Sequence, residues 1–223
     1  MKPSITLLFV CATLIQAMQS HSDPILIEGN LSNWQNIKFV GETQYRQIMD
    51  IEQGVVIRAE SLASASALEY SDSINLNKTP VLRWQWTVDK VPYRTRVDES
   101  GLATHERNQN ETKPDGDDFA LRVIVGIDPV FGDPKQLHYV WSSREPIGSH
   151  WQLDKNNQVL VVSGEDQQPM EWQTLQRHVQ KDWQQVFDES IEELDFIRLQ
   201  TDSDHIQGHA IGYYGDMETL AIK

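Results

Sequence analysis

Apolar and polar residues alternate with period two along most of the chain after residue 23, and Gly, Pro, Asn or Asp interrupts the alternation every eight to twelve residues. Short strands separated by turn residues at this spacing are typical of a β-sandwich or a barrel. The clearest strand is 81–88, and the segments 119–127 and 137–141 repeat its alternation. β-branched and aromatic content between turn residues predicts further strands at 36–40, 45–51, 54–59, 158–163, 171–179, 194–201, 208–214 and 217–222.

The alternation also predicts which side chains enter the core, because successive side chains of a strand point to opposite faces. The apolar members of the clearest strands form the inward set: Leu82, Trp84, Trp86, Val88, Phe119, Leu121, Val123, Val125 and Ile127. Flat aromatic rings can also stack on sugars, but Trp84 and Trp86 share the register of Leu82, which favours core packing. We therefore expect both indoles to be buried.

Two segments depart from the strand pattern. Apolar residues at helical spacing predict a short helix over 181–189 that caps the sandwich. The stretch 89–117 is polar and contains two prolines and two glycines, which predicts a long loop or insertion. We find no internal repeat or linker, so residues 23–223 are expected to form a single β-sandwich domain.

The amino terminus has the features of a secretory signal peptide. Lys2 is followed by an apolar stretch over 5–15 and then by small residues up to Ser22. We expect residues 1–22 to be removed and the mature protein to be periplasmic or secreted. Cys11, the only cysteine, lies inside this segment, so the mature chain has no thiol for a disulfide or a zinc-thiolate site. No stretch approaches the roughly 20 apolar residues that a membrane-spanning helix needs.

The formal net charge of −14 argues against nucleic acid and anionic membrane surfaces as partners. The sequence also lacks a Gly-x-Ser-x-Gly elbow, a phosphate-binding loop, a His-Glu-x-x-His motif and a dinucleotide fingerprint. These absences weaken the case for an enzyme, and no feature indicates the oligomeric state.

The outward register of the predicted strands collects hydrogen-bonding side chains. If the inward set is correct, one sheet surface carries Arg83, Gln85, Arg122, His138, Arg198 and Gln200. Three arginines on one face of an acidic protein indicate a ligand surface, and a solvated sheet face is the alternative. Alternation also places Asp118 beside Arg122, where it either orients the guanidinium toward a ligand or forms a structural ion pair. A carboxylate from the segment 202–216 is the other expected partner of Arg122.

The segment 201–209 is the richest in potential metal ligands. Asp202, Asp204 and His205 lie close together in sequence, with oxygen ligands two residues apart. Such oxygens suit Ca²⁺, and His205 would extend the set to a transition metal. The alternative is an Asx-rich turn whose carboxylates cap backbone amides. No other cofactor is expected.

Five motifs occur in a recognisable order, at 84–88, 116–123, 139–141, 201–204 and 214–216. Together they resemble the bacterial exported family called domain of unknown function 3047, and the likeness covers nearly all of the mature chain. The resemblance implies an all-β, jelly-roll β-sandwich of the galactose-binding-like kind, a fold that often binds glycans. The chain departs from the family pattern in the polar insertion before Gly116 and at His205 and Ile206.

The resulting hypothesis is an exported, non-catalytic binding or accessory protein for a carbohydrate or a cell-envelope component. Its expected ligand-binding residues are Arg83, Gln85, Asp118, Arg122, His138, Arg198, Asp202 and Asp216. The alternative is a polysaccharide hydrolase that uses two carboxylates about 5 to 10 Å apart. Its candidate carboxylates are Asp117, Asp118, Asp202, Asp204 and Asp216.

Overall fold

The computed structural model describes residues 22–108, 110–164 and 170–222. The predicted signal peptide, apart from Ser22, lies outside the described residues. Within them, sixteen strands and one α-helix follow one another along the chain. The elements are β1 (Ser22–Leu26), β2 (Trp34–Val40), β3 (Gln44–Asp50), β4 (Gly54–Leu62), β5 (Ala65–Tyr70), β6 (Ile74–Asn75), β7 (Val81–Val97), β8 (Ala103–Arg107), β9 (Arg122–Ile127), β10 (Lys135–Ser142), β11 (His150–Asp154), β12 (Asn157–Gly164), β13 (Gln173–His178), α1 (Val179–Phe187), β14 (Glu193–Leu194), β15 (Phe196–Asp202) and β16 (His209–Leu220).

Fourteen of these strands form two seven-stranded sheets, and β6 and β14 form a small separate pair. The first sheet has the order β13-β7-β16-β4-β3, with β1 paired to β16 and β8 paired to β7. The second sheet has the order β11-β12-β10-β9-β15-β5-β2. The chain crosses repeatedly between the two sheets, so neighbours in a sheet are often distant in sequence. The predicted all-β jelly-roll sandwich is confirmed.

The main core lies between the inner faces of the two sheets. Trp84 and Trp86 are fully buried there, as predicted, and their rings meet edge to face at 5.4 Å. Trp84 also contacts Tyr139 of the second sheet at 5.5 Å between ring centroids. Large aromatic side chains supply much of the area removed from water, which is the main stabilising contribution in a chain without disulfides.

The predicted helix is confirmed over Val179–Phe187, where Trp183 is buried and packs on Phe187. The strands predicted at 208–214 and 217–222 form one continuous strand, β16, with an irregularity between Tyr214 and Met217. The strands β1, β5, β6, β8 and β11 were not predicted. β5 escapes detection because it is rich in alanine and serine, which carry little strand signal.

The stretch 89–117 is only partly a loop. β7 continues to Val97, and β8 pairs back on it as a hairpin. The alternating β-branched and aromatic residues of 91–97 explain the strand, which the prolines and charges of the segment had obscured. The described residues 108 and 110–118 lie before the start of β9.

A hydroxyl group of the first sheet forms hydrogen bonds with the backbone of the second sheet inside the core. Tyr214, on β16, donates a hydrogen bond to the carbonyl oxygen of Gln200 at 2.6 Å. Its oxygen accepts a hydrogen bond from the backbone amide of Arg122 at 3.2 Å. Gln200 and Arg122 face each other across β15 and β9, so this buried side chain ties the two sheets together at one point.

No helix among the described residues is long and apolar enough to span a membrane.

Candidate functional site

A cleft of about 330 Å³ lies on the outer face of the second sheet. Strand pairing explains its floor, because Arg122 lies opposite Gln200, and Ile124 lies between Arg198 and His138. Side chains that are paired across neighbouring strands point to the same face. The structure therefore brings together four of the six residues expected on one polar face: Arg122, His138, Arg198 and Gln200.

Arg122 is the centre of the floor and is almost completely buried. Its Nη1 donates to Oδ2 of Asp117 at 2.9 Å, and its Nη2 donates to Oδ2 of Asp202 at 3.0 Å and to the Asp117 carbonyl at 2.7 Å. A buried guanidinium needs carboxylate partners of this kind to offset its loss of hydration. The expected partner Asp118 does not pair with Arg122, whereas the carboxylate of Asp202 does.

Phe119 covers the guanidinium from one side. The ring centroid lies 4.8 Å from Cζ of Arg122, and the ring stacks on Trp151 at 6.4 Å. Phe119 was expected in the core between the sheets, but it packs on the outer face with Val140 and Val159. The reason is that the chain bends at residues 120 and 121 and β9 begins only at Arg122, so the alternation does not extend back to 119.

His138 is held neutral at the floor. Arg122 Nη1 lies 3.1 Å from its Nδ1, and a guanidinium can only donate, so Nδ1 accepts and the proton belongs on Nε2. Burial lowers the pKa of His138 well below its usual value, and the charges of Arg122 and Arg198 lower it further. The neighbouring side chain of Asn157 acts in the opposite direction.

Burial raises the pKa of Asp117 and of Asp202, although the positive charge of Arg122 opposes the rise in both. The carboxylate of Asp202 also accepts hydrogen bonds from the amide of Phe119 and from the side chain of Gln200. The carboxylate of Asp117 has fewer partners. Asp202 is therefore a fixed part of the floor, whereas Asp117 lines the cleft and is 17% exposed.

Arg198 forms the second basic position of the cleft. Its Nε donates to Glu69 at 2.6 Å, its Nη1 donates to Gln136 at 2.8 Å, and its guanidinium lies over the ring of Phe196 at 4.1 Å. The planar guanidinium is thus fixed by three neighbours, which leaves it preorganised in the cleft.

Apolar and turn residues form the rim. Phe39 is half-exposed, and it lines the cleft together with Leu153 and Pro114. Asp154 and Asn157 complete the wall at the β11–β12 turn, where Asp154 accepts hydrogen bonds from the amides of 156 and 157. The cleft thus combines a polar floor with apolar edges.

The segment before β9 is shaped so that it brings Asp117 to the cleft. The Asn108 side chain donates to the carbonyl of Gly116 at 2.6 Å. A Cβ atom at Gly116 would lie 2.3 Å from the carbonyl oxygen of Asn110, so only glycine fits there. Asp117 was not predicted as a ligand-binding residue, because the alternation counted from Asp118 onward does not include it.

The remaining expected site residues lie elsewhere. Arg83 and Gln85 belong to β7 in the first sheet, so they cannot share a face with Arg122. Arg83 pairs with Glu218 of the neighbouring strand. Asp216 also lies on the first sheet, where it accepts a hydrogen bond from the amide of Glu28 at 2.9 Å. Alternation gives the side of a strand on which a residue lies, but not the sheet to which the strand belongs.

The group of potential metal ligands in the structure differs from the expected group of Asp202, Asp204 and His205. Asp118, Asp204 and His205 have potential ligand atoms within 4.8 Å of one another, whereas Asp202 faces Arg122. Asp118 accepts hydrogen bonds from the amides of His205 and Ile206, so a carboxylate from another segment caps the backbone amides of this turn. Calcium binding by this loop stays a prediction.

The carboxylates named for a hydrolase do not meet across the cleft. Of the five, only Asp117 lines it. Asp118 and Asp202 are buried in hydrogen-bonded positions, and Asp216 lies on the other sheet. A second acid at the cleft, Asp154, is exposed and bound to its own turn.

Several buried polar atoms of the cleft residues lack a hydrogen-bond partner within the described part of the chain. They include two acceptors, Oδ1 of Asp117 and Oδ1 of Asn157, and two donors, Nε of Arg122 and Nε2 of His138. The amide of Asn157 lies close enough to the imidazole to influence its pKa, so these two groups partly satisfy each other. Asp117 and Arg122 have no such substitute, and a buried polar group without a partner is costly.

A family model described as "Protein of unknown function (DUF3047)" matches residues 32–218. No curated protein matches the sequence. Similar solved structures include a family 11 carbohydrate-binding module from Clostridium thermocellum, with 8% identity over 92% of this chain and 96% of that one, at a TM-score of 0.46. A cellulase derived from Cel12A of Rhodothermus marinus has 10% identity over 91% of this chain and 100% of that one, also at 0.46. A lectin from Bauhinia forficata has 11% identity over 92% and 99%, at 0.36. At these identities and TM-scores, the likeness carries no information about the ligand of this chain.

Proposed function

Because this chain belongs to the DUF3047 family, whose function is unknown, we propose a function from the cleft itself: the protein is an exported, non-catalytic binding protein that holds a carbohydrate on the outer face of its second sheet. The observation that carries the proposal is the set of unpartnered donors and acceptors at the residues of one cleft. A hydroxyl group both donates and accepts, so a polyhydroxylated ligand can satisfy both kinds of atom.

The size and composition of the cleft support this class of ligand. A volume of about 330 Å³ lies at the small end of the range for ligand pockets, which run from roughly 300 to 1,000 Å³. The amides of Gln136 and Gln200 and the guanidinium of Arg198 offer further hydrogen bonds at the floor. Phe39 offers an apolar ring at the rim, where it can cover one face of a sugar. A flat apolar ligand would leave the polar floor unsatisfied.

The arrangement favours binding over hydrolysis. Glycoside hydrolysis needs two carboxyl groups that flank the scissile bond, and they act with separated pKa values. The carboxylate of Asp117 is paired with Arg122, and the carboxylate of Asp154 accepts hydrogen bonds from backbone amides of its own turn. Of the five candidate carboxylates, none besides Asp117 lines the cleft, so no pair of candidates can flank a glycosidic bond there.

Calorimetry on the chain 23–223 with neutral oligosaccharides tests the proposal. We expect binding to at least one of cello-, xylo- or N-acetylchito-oligosaccharides, and we expect Gln136→Ala to weaken it about tenfold. Gln85→Ala is the matched control, because it removes the same side chain from the opposite sheet. Absence of binding to every saccharide at millimolar concentration would refute the proposal, as would an equal effect of the two variants.

Export is tested separately. Expression of residues 1–223 in a Gram-negative host should give a periplasmic protein whose amino terminus, determined by mass spectrometry, lies near Asp23. Lys2→Glu combined with a charged residue at Leu8 should leave the protein in the cytoplasm, because both the cation and the apolar core of the signal are then lost. A wild-type protein that keeps Met1 and stays in the cytosol would contradict export.

A further inference from the structure

Among its described lining residues, the cleft holds no unpaired positive charge. The two arginines that line it, Arg122 and Arg198, are each paired, the first with Asp117 and Asp202 and the second with Glu69. Asp154 adds another carboxylate at the wall. His138 is neutral, so the lining offers a ligand no free cation, whereas Asp117 and Asp154 place carboxylates at the surface of the cleft.

Asp117 is the carboxylate that has capacity left for a ligand. Its Oδ2 accepts from Arg122 at 2.9 Å, while its Oδ1 is buried and has no hydrogen-bond partner. The carboxylates of Asp202 and Glu69 point at arginines, and that of Asp154 accepts from its turn. The Asp117 side chain is 17% exposed at the cleft, so a donor that reaches this side finds a carboxylate with capacity left for a hydrogen bond.

We propose that the carbohydrate bound in this cleft is an amino sugar whose protonated amine donates to Asp117. This inference rests on the proposed function and specifies the chemical class of its ligand. An ammonium group has three donors and no acceptor, so it matches a free carboxylate oxygen better than a hydroxyl does. A charged hydrogen bond to a partly buried carboxylate is also roughly twice as strong as a neutral one.

The remaining groups of the cleft fit the rest of such a sugar. The hydroxyls of the ring can use Gln136, Gln200 and Arg198, and the ring itself can lie against Phe39. A ligand that carries a carboxylate is disfavoured, because both arginines are already paired with carboxylates of the protein.

Three oligosaccharides that differ only at the second carbon of each ring test the inference. The β-1,4-linked hexamers of glucosamine, N-acetylglucosamine and glucose carry an ammonium, an acetamide and a hydroxyl group at that carbon. At pH 6 and moderate salt, we expect the glucosamine hexamer to bind at least tenfold more tightly than the other two. The preference should shrink as the pH is raised and the amine loses its proton.

Variants separate the Asp117 contact from general attraction between a cationic ligand and an acidic protein. Asp117→Asn should reduce the preference for the glucosamine hexamer to about twofold or less. Asp216→Asn changes the net charge equally on the opposite sheet, so it should keep the full preference. Circular dichroism and thermal melting should confirm that both variants are folded.

The outcomes distinguish this inference from the proposed function. Equal binding of the three hexamers, a preference for the acetylated one, or equal effects of the two variants would overturn the amino-sugar inference and leave carbohydrate binding standing. Failure of all three hexamers and of every other saccharide tested would overturn both.

Discussion

Nη1 of Arg122 lies 3.1 Å from Nδ1 of His138, so a permanent cation donates to an imidazole that must stay neutral. Burial and the charges of Arg122 and Arg198 hold the pKa of His138 well below its usual value of about 6.5. In the unfolded chain the imidazole takes up a proton as the pH falls through that value. Protonation therefore favours unfolding, and the contribution of His138 to stability decreases as the pH falls below about 6.5.

This linkage gives a prediction for His138→Gln, which keeps a hydrogen-bonding side chain but does not titrate. Between pH 8 and pH 5, the unfolding free energy of the wild type should decrease relative to that of the variant, measured by urea denaturation. Asp117 and Asp202 have raised pKa values and act in the opposite direction, but they are common to both proteins. The same pH dependence in the two proteins, or an imidazole that titrates near 6.5 by NMR, would contradict the assignment.

Arg122→Lys keeps the charge but cannot bridge Asp117 and Asp202, so it should lower both the unfolding free energy and the affinity for saccharide. Removal of the charge in Arg122→Met should cost about 3 to 5 kcal/mol, because two buried carboxylates lose their partner. Arg83→Lys, in a partly exposed pair on the other sheet, should cost less than about 1 kcal/mol. Similar melting temperatures for the two lysine variants would show that Arg122 is not the centre of the floor.

Trp84→Ala and Trp86→Ala should each lower the unfolding free energy by about 3 to 5 kcal/mol, because each leaves a cavity between the sheets. Phe131→Ala is the control, since Phe131 is 91% exposed and its removal should change stability by less than about 0.5 kcal/mol. Guanidinium denaturation followed by circular dichroism measures the three values. A tryptophan variant as stable as the control would contradict the packing of the core.

Phe39→Ala should weaken saccharide binding about fivefold, which corresponds to about 1 kcal/mol for covering the exposed half of the ring. The melting temperature without ligand should change little, because the ring is already half in water. Phe131→Ala should leave the affinity unchanged, as it lies in a loop that does not line the cleft. If Phe39→Ala binds as tightly as the wild type, the ligand does not contact the rim.

The sequence predicts the floor of the cleft better than its walls. Arg122, His138, Arg198 and Gln200 follow from alternation, because a side chain's face is fixed once one neighbour is known to be buried. Arg83 and Gln85 were wrongly grouped with them, since pairing between distant strands is not encoded in any local pattern. Sheet membership depends on the crossovers between the sheets, which only the structure reveals.

The residues that form the walls could not be predicted from the local sequence pattern. Asp117 enters the cleft because Gly116 and Asn108 fold the preceding segment against β9. Phe39 comes from β2, at one edge of the second sheet, and Asn157 comes from β12, next to the other edge strand, and neither stands out in its own segment. The one local signal for Asp117 was Gly116, the glycine that directly precedes it shortly before the buried strand β9.

The hydrogen bonds of the Tyr214 hydroxyl affect the kinetics with which a saccharide binds in the cleft. The hydroxyl bonds the backbone of both strands that carry Arg122 and Gln200, from the far side of the core, so the floor cannot shift without breaking buried hydrogen bonds. A saccharide therefore binds to a preformed surface, and no rearrangement of the sheet slows its association. Association should follow a single exponential whose rate rises linearly with saccharide concentration, with no plateau from a slow isomerisation.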